Sequence, residues 1–489
     1  MSRSTAAIEF ESMLRDAVAL HRAGRLGEAE PIYLALLREN PGDFDALHLL
    51  GVVRQQQGRH AEAVDLIGQA LSLRPDDAAA LSNRGLSLRE LGRAQEALVS
   101  CERAIRLKPD YADAHNNRGL ALASLKRPIE ALKSYEAALA IAPTHLDALN
   151  NLGIAFFDMN RLGEALSAFD RALAISPDHA HARWNRAQVL LLAGDFARGW
   201  PEHEWRLASN PVLQRTFDKP LWLGDAPIEG KTVLLHAEQG LGDTIQFCRY
   251  ALMLAERGAR VVLEVQPPLA ELMRTLGGAI EVVPRGEPLP AFDLHCPLLS
   301  LPLAFKTDAA TIPAQAPYLR APAGAVDWHS RLGTKRPRIG LVWSGNPGHK
   351  RDAARSIPFY ALMPLLDLDA TFVSLQKDVR ASDAAVLKQS GKVIDVAESL
   401  TSFAETASLI AALDLVISVD TSVAHLAGAL GKPLWLLLPQ VPDWRWLMNR
   451  DDSPWYTTAR LFRQDDKRAW GPVIARVRDA HLATGARYT

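Results

Sequence analysis

The sequence predicts an all-α repeat solenoid over residues 1–210, followed by an α/β region with two parallel sheets facing across a cleft. Three observations carry that expectation. Prolines stand at Pro41, Pro75, Pro109, Pro143, Pro177 and Pro211, each 34 residues after the last, although proline is only 30 of the 489 residues. Small residues keep the same step, in the series Gly51, Gly85, Gly119, Gly153, then Ala63, Ala97, Ala131, Ala165, then Ala70, Ala104, Ala138, Ala172. After Gly230 the pattern changes to short apolar runs of strand length with helical segments between them. That alternation marks parallel sheets covered on both faces.

Each repeat unit reads as two amphipathic helices. One carries the glycine, where the helices cross too closely for a side chain; the other carries both alanines on one face. Proline then ends the second helix and pre-sets the turn into the next unit. These positions resemble the tetratricopeptide repeat over about residues 7–210. The first unit keeps Gly24 and Ala29 but has Ala7 for the proline, and the last has Ala187 for the glycine and Gly199 for the alanine. Divergent end units suit the capping of a solenoid, whose concave groove takes an extended segment of another protein. Asn83, Asn117, Asn151 and Asn185 share one repeat position. An amide offers both donors and an acceptor, so a row of them can pair with a peptide backbone, or each can serve bonds within the repeats. The row resembles the asparagine ladder of the O-linked N-acetylglucosamine transferases, which implies an acceptor-binding role for these four residues.

Composition bounds the rest. A chain of 489 residues suggests about three domains, and 48% hydrophobic with 23% charged residues is ordinary for a globular protein. Lys plus Arg is 55 and Asp plus Glu is 56, so the net charge is −1. No global field collects a polyanion, which argues against nucleic acid as a partner. Cys101, Cys248 and Cys296 lie far apart and form no CxxC or Cys/His cluster, so neither a disulfide framework nor a zinc site is expected. The start, MSRSTAAIEFESMLRDAV, has acids where a signal peptide would have its apolar run. No apolar stretch reaches the ~18 residues that span a bilayer, so the expectation is a cytoplasmic protein with no membrane span.

From Phe196 the run FARGWPEHEWRLASNP suggests a helical extension packed between two domains, and 211–230 reads as a connector. The runs TVLLHA, RVVLEV, IEVVP and FDLHC predict strands of a Rossmann-like domain over 231–325. A second such domain, over 326–489, is predicted by RIGLVWS, TFVSLQ, KVIDV, LVISVD and LWLLLP. In open α/β sheets the ligand sits at the carboxyl ends of the strands, so the strand-to-helix loops should carry the chemistry.

Three loops stand out. The first runs from His236 to Thr244 and contains Gly240, Gly242 and Asp243. Its glycines permit a tight turn and close backbone approach, and the following helix N-terminus favours an anionic or polarised group. Asp243 could equally cap that helix. The second loop, Ser344-Gly345-Asn346-Pro347-Gly348-His349-Lys350-Arg351, followed by Arg355, suits a diphosphate, with backbone amides beside it and cations to balance its charge. A solvated basic turn is the plainer reading. The third runs from Asp420 to Pro433. Thr421 or Ser422 can cap its helix, Gly431 can close it, and Asp420 and His425 would point into the cleft. A buried His425 satisfied by hydrogen bonds is the ordinary alternative.

In this order the loops resemble the GT-B glycosyltransferases of family nine, the heptosyltransferase relatives. The resemblance implies Asp243 as catalytic base, Ser344, Gly345 and Lys350 at the donor diphosphate, and Asp420, Thr421, Ser422 and His425 near donor sugar and phosphate. Ser422 replaces the more usual glycine. The whole layout resembles bacterial tetratricopeptide-repeat glycosyltransferases, some of which modify proteins, flagellin among them.

The expected activity is therefore transfer of a sugar from a nucleotide-sugar donor to a Ser or Thr hydroxyl of a protein held by the repeats. Gly240, Gly242, Lys350, Arg351 and the amides after Thr421 would meet the donor, with no metal and no other cofactor. The DxD triplets, Asp43-Phe44-Asp45 and Asp367-Leu368-Asp369, fall outside the strand tips and read as surface charge. Glu405, near a helix start, could bind a ribose, with solvent exposure the alternative. Two rival readings stand beside this one: a repeat adaptor carrying an inactive α/β module, and a transferase with a glycan or lipid acceptor.

Overall fold

The computed structural model describes residues 3–324, 326–349 and 351–484. By internal contacts the chain divides into two compact units, with the division between Ala182 and Arg183. It falls inside a helix and ahead of the boundary expected near 210. The reason lies in the aromatic stretch that follows, which packs on the α/β region as set out below.

The first unit is a stack of helix pairs. These are α1 (Arg3–Arg22) with α2 (Leu26–Glu39), α3 (Phe44–Gln56) with α4 (His60–Leu73), and α5 (Ala78–Glu90) with α6 (Ala94–Leu107). Next come α7 (Ala112–Ser124) with α8 (Pro128–Ile141), and α9 (Leu146–Asp158) with α10 (Leu162–Ile175). The glycine series acts as predicted. A Cβ at Gly51, Gly85, Gly119 or Gly153 would fall 2.5, 2.5, 2.4 or 2.5 Å from Ile67, Cys101, Tyr135 or Phe169 respectively, partners that themselves recur every 34 residues. Both alanine series are fully buried. Each second helix ends at Asn40, Arg74, Lys108, Ala142 or Ser176, and the periodic proline is the next residue.

A further series joins the two helices of each pair. Gly24, Gly58, Gly92, Lys126, Asn160 and Gly194 all have φ between 60 and 84°. The joint needs a left-handed residue, and glycine fills it at least cost in four of six places. The Arg that starts each second helix pairs with a Glu three residues on, as in Arg25–Glu28, Arg59–Glu62, Arg93–Glu96, Arg127–Glu130 and Arg161–Glu164. A carboxylate in the first turn also complements the helix dipole.

The helix that holds this division is α11 (Ala180–Leu192), and the chain runs on from it to α12 (Phe196–His203) of the second unit. Trp200 of α12 donates its indole N–H to the Thr307 carbonyl at 2.7 Å and meets Trp444 edge-on at 5.2 Å. Just beyond, the fully buried Arg206 pairs with Glu238 at 2.9 Å and with Glu204 at 2.7 Å. The stretch therefore does pack against both halves of the α/β region.

Two all-parallel sheets follow. The first contains β1 (Thr232–His236), β2 (Arg260–Val265), β3 (Ile280–Pro284) and β4 (Leu294–Pro297) in the order β3-β2-β1-β4. The second contains β5 (Arg338–Val342), β6 (Thr371–Ser374), β7 (Val393–Asp395), β8 (Leu415–Val419), β9 (Leu434–Leu438) and β10 (Ala459–Arg463), in the order β10-β9-β8-β5-β6-β7. All nine strands expected from the apolar runs are present. The tenth, β10, was not foreseen, because Arg460 and Arg463 interrupt its apolar run; it lies at the sheet edge, paired with β9 on one side, while Arg460 bridges to Asp452 outside the named strands. Five residues each of β5, β8 and β9 are buried. Strand order reverses between β1 and β4 and again between β5 and β8, and such switch points are where doubly wound sheets bind ligands.

Candidate active site

The three loops singled out above leave the switch strands β1, β5 and β8, and they converge. The loop after β1 enters the helix Leu241–Phe247, with Gly240 at its N-cap. Asp243 Oδ2 accepts the Gly240 N–H at 2.8 Å, so the carboxylate does cap its own helix. A Cβ on Gly242 would lie 2.9 Å from His425 Cδ2 and 3.5 Å from the Ser422 Cα. The missing side chain thus lets the first half touch the third loop, a close approach to protein where one to a donor was expected.

Asp243 Oδ1 accepts from Arg445 Nη2. Arg445 belongs to a fourth loop, after β9, that sequence reasoning did not single out. Its Nε donates to Gln246 Oε1 at 2.8 Å and its Nη1 to Asp443 Oδ1 at 2.7 Å. The strand-end rule applied to LWLLLP would have reached PDWRW; the loop lacks glycine and matched no motif. Asp243 keeps 18% of its side chain exposed.

In the second loop Ser344 is buried, and its Oγ has no hydrogen-bond partner among the described residues. Gly345 donates its N–H to Ser356 Oγ at 3.0 Å, and a Cβ there would fall 2.6 Å from the Arg355 guanidinium. Arg351 Nη2 donates to the Val441 carbonyl at 3.1 Å and Arg355 Nη1 to the Asp420 carbonyl at 2.8 Å. The basic turn is therefore tied to the third and fourth loops. Lys350 lies outside the described residues.

In the third loop the helix Ser422–Ala429 has Thr421 at its N-cap, but no side chain makes the capping bond that was expected. The Thr421 hydroxyl lies 3.3 Å from Ser418 Oγ instead. Gly431, at φ 68°, closes the helix. His425 is buried, with Nδ1 2.9 Å from the Tyr456 hydroxyl and its ring stacked on Trp446 at 5.4 Å. Burial, with the Arg445 charge adding, lowers its pKa to about 3, so it is a neutral ring. The Asp420 carboxyl lies 3.8 Å from its Nε2.

The acids around Arg445 differ. Burial pushes Asp243 above the ordinary carboxylate range while Arg445 pulls it back. Asp420 rises to about 6, from burial and then from the Asp443 charge. Against its own burial, Asp443 is held below its usual value by Arg445.

Other expectations change. Glu405 is buried, not exposed, and accepts the Trp328 indole N–H at 2.7 Å; a buried indole needs that acceptor. Asp43 caps α3, while Asp367 and Asp369 pair with Lys392 and Lys335 on the surface. The asparagine row is in part a set of bonds between repeats. Asn83 Nδ2 lies 3.0 Å from His48 Nε2, Asn117 Nδ2 3.0 Å from Ser82 Oγ and Asn151 Nδ2 2.9 Å from Asn116 Oδ1. Each donor thus reaches back to the preceding repeat. Asn185 holds the same position in α11.

Fold and site together define a helical-repeat protein with a doubly wound α/β module whose strand-end loops meet at one acidic and basic cluster. Residues 20–83 and 110–178 match the tetratricopeptide repeat, 85–126 match the TPR repeat, and 373–437 match glycosyltransferase family 9 (heptosyltransferase). The chain thus carries tetratricopeptide repeats and a glycosyltransferase family 9 domain. The last match includes the loop after β8; the other two loops lie outside it. Protein FlbA of Caulobacter vibrioides is 27% identical over 326 residues, which are 60% of this chain and 54% of that protein, so the chain spans about half the length of this relative. A thermophilic TPR protein of Thermus thermophilus, TTC0263, is 28% identical with a TM-score of 0.35, over 37% of this chain and 99% of that one. Pseudomonas aeruginosa pilF is 19% identical with a TM-score of 0.35, over 41% and 92%. No helix among the described residues is long and apolar enough to cross a membrane.

Proposed function

We propose that the protein transfers a sugar from a nucleotide-sugar donor to a Ser or Thr hydroxyl of a protein bound by its repeats, using a GT-B arrangement of the two sheets. The observation that carries this reading is the convergence of loops from both switch points on Asp243 and Arg445, with Arg351 and Arg355 tied to the same cluster.

Asp243 takes the proton of the acceptor hydroxyl as its oxygen attacks the anomeric carbon. The bond from that carbon to the donor phosphate breaks, and the nucleoside diphosphate leaves with the electron pair. Arg351, Arg355, Lys350 and the amides that open the helix Ser422–Ala429 stabilise the growing phosphate charge, in the place a metal would take in other transferases. Gly240, Ser344, Gly345, Asp420, Thr421, Ser422 and His425 shape the donor side, while Gly242 lets the first loop close on the third. A single displacement of this kind inverts the anomeric centre. Protein partners, with flagellin one acceptor that the family resemblance suggests, lie along the repeats beside Asn83, Asn117, Asn151 and Asn185. Three buried free cysteines, Cys101, Cys248 and Cys296, support a reducing, cytoplasmic setting.

The test is Asp243→Asn in the full chain, screened first for a donor by thermal shift. The donor-dependent rise in Tm should persist, while transfer falls by about 10²–10⁴-fold, the usual worth of a general base. Retained turnover would reject Asp243 as the base. Absence of donor hydrolysis with every donor that raises Tm would favour the adaptor reading.

A further inference from the structure

We propose that Arg445 is the positioning residue of this site: its guanidinium aims the Asp243 carboxylate and keeps it an anion. The inference rests on Asp243 being the base. Asp243 and Gln246 lie three residues apart on one helix of the first half, so their side chains share a face. Arg445, from the loop after β9 of the second half, bonds both, through Nη2 and Nε. Its third bond, to Asp443, fixes the remaining edge. The fork geometry of a guanidinium is what allows three directed bonds at once, and a lysine could not reproduce it.

Arg445 is itself held. It is buried, and its guanidinium carbon lies 4.3 Å from the Trp444 ring centroid and 5.6 Å from that of Phe247. Asp243 is then fixed at both oxygens, by Arg445 and by the Gly240 N–H, and still keeps lone pairs for an acceptor proton.

The surroundings oppose an anion at this point. Asp443 brings negative charge to Asp243, and Asp420 stands beside Arg445. His425, against Gly242, is neutral, and His349 gives a weaker positive influence than Arg445. Burial pushes in the same direction as the acids. Among the described residues Arg445 is therefore the main cation keeping the base in the form that can accept a proton.

The experiment compares the full chain with Arg445→Gln, Arg445→Lys and Asp243→Asn. Difference ¹³C spectra of Asp-labelled protein against Asp243→Asn follow the Asp243 titration without any substrate. Arg445→Gln should move that titration upward by about one pH unit or more, whereas Arg445→Lys should restore most of the shift by keeping the charge. In transfer assays Arg445→Gln should lower kcat by roughly 10²-fold with donor KM little changed, and raise the acid limb of the pH profile. Arg445→Lys should recover the limb but not the full kcat, since the aim is lost. An unchanged titration in Arg445→Gln, with native circular dichroism, overturns the proposal. If Arg445→Gln does not fold, a wild-type titration and kcat in Arg445→Lys overturn the positioning role. Activity retained by Asp243→Asn instead overturns the base assignment alone.

Discussion

Replacing Asn117 by Ala tests what the asparagine row does. The Asn117 amide donates to Ser82 Oγ at 3.0 Å, and Ser82 is fully buried with Asn117 almost so. Loss of the donor leaves a buried hydroxyl without it, at a cost of about 1–3 kcal/mol. Alanine returns about 0.5 kcal/mol through its higher helix propensity. The net loss is about 0.5–2.5 kcal/mol, which at 1.4 kcal/mol per decade is roughly a 2–60-fold faster opening. Native-state hydrogen exchange of the full chain, read on peptides from α5 and α7, measures that opening directly. A double-mutant cycle with Ser82→Ala should recover a coupling of about 0.5–1.5 kcal/mol. Exchange rates equal to wild type, with weakened acceptor binding, would refute the bond between repeats as the residue's main use and favour the peptide-facing role.

Two further outcomes are expected. Gly119→Ala puts a methyl 2.4 Å from Tyr135 and should destabilise α7–α8 by about 1–3 kcal/mol, whereas Gly68→Ala, a helix position with open space around its Cβ, should stabilise by about 0.5–1 kcal/mol; hydrogen exchange should show opposite signs. His425 stays neutral in the native state down to about pH 3 while the unfolded residue protonates near pH 6.5, so its contribution is complete above pH 6.5 and is lost as pH falls. His425→Gln should remove about 1.4 kcal/mol per pH unit from the slope of stability between those limits. All eleven tryptophans stand at position 184 or later, so urea titrations followed by tryptophan fluorescence report on the second unit alone; equal slopes for variant and parent would refute the assignment.

What could be read beforehand and what could not divide along physical lines. Contacts between neighbouring repeats are local and periodic, so Pro41, Gly51, Ala63 and Ala70 announce their partners through their own recurrence. Buried parallel strands are continuous apolar runs, and nine of them showed; β10 did not, because an edge strand can keep Arg460 and Arg463. The loops with glycine were found. The loop with Asp443 and Arg445 was not, since its meaning comes from a partner 202 residues away in the sequence, and no local pattern encodes such a pairing. Glu405 illustrates the same limit: its burial depends on Trp328, 77 residues earlier. The asparagine row was visible, but the turn of the Asn83, Asn117 and Asn151 donors toward the preceding repeat follows from how the repeats stack, which no single position encodes.

The ion pair between Asp243 and Arg445 also bears on inheritance. One partner travels with the first sheet and the other with the second, so neither half can drift, or be exchanged for a homologue's, without the other following. A chimera that imports a new acceptor-side sheet should work only when residues 440–446 come from the same parent.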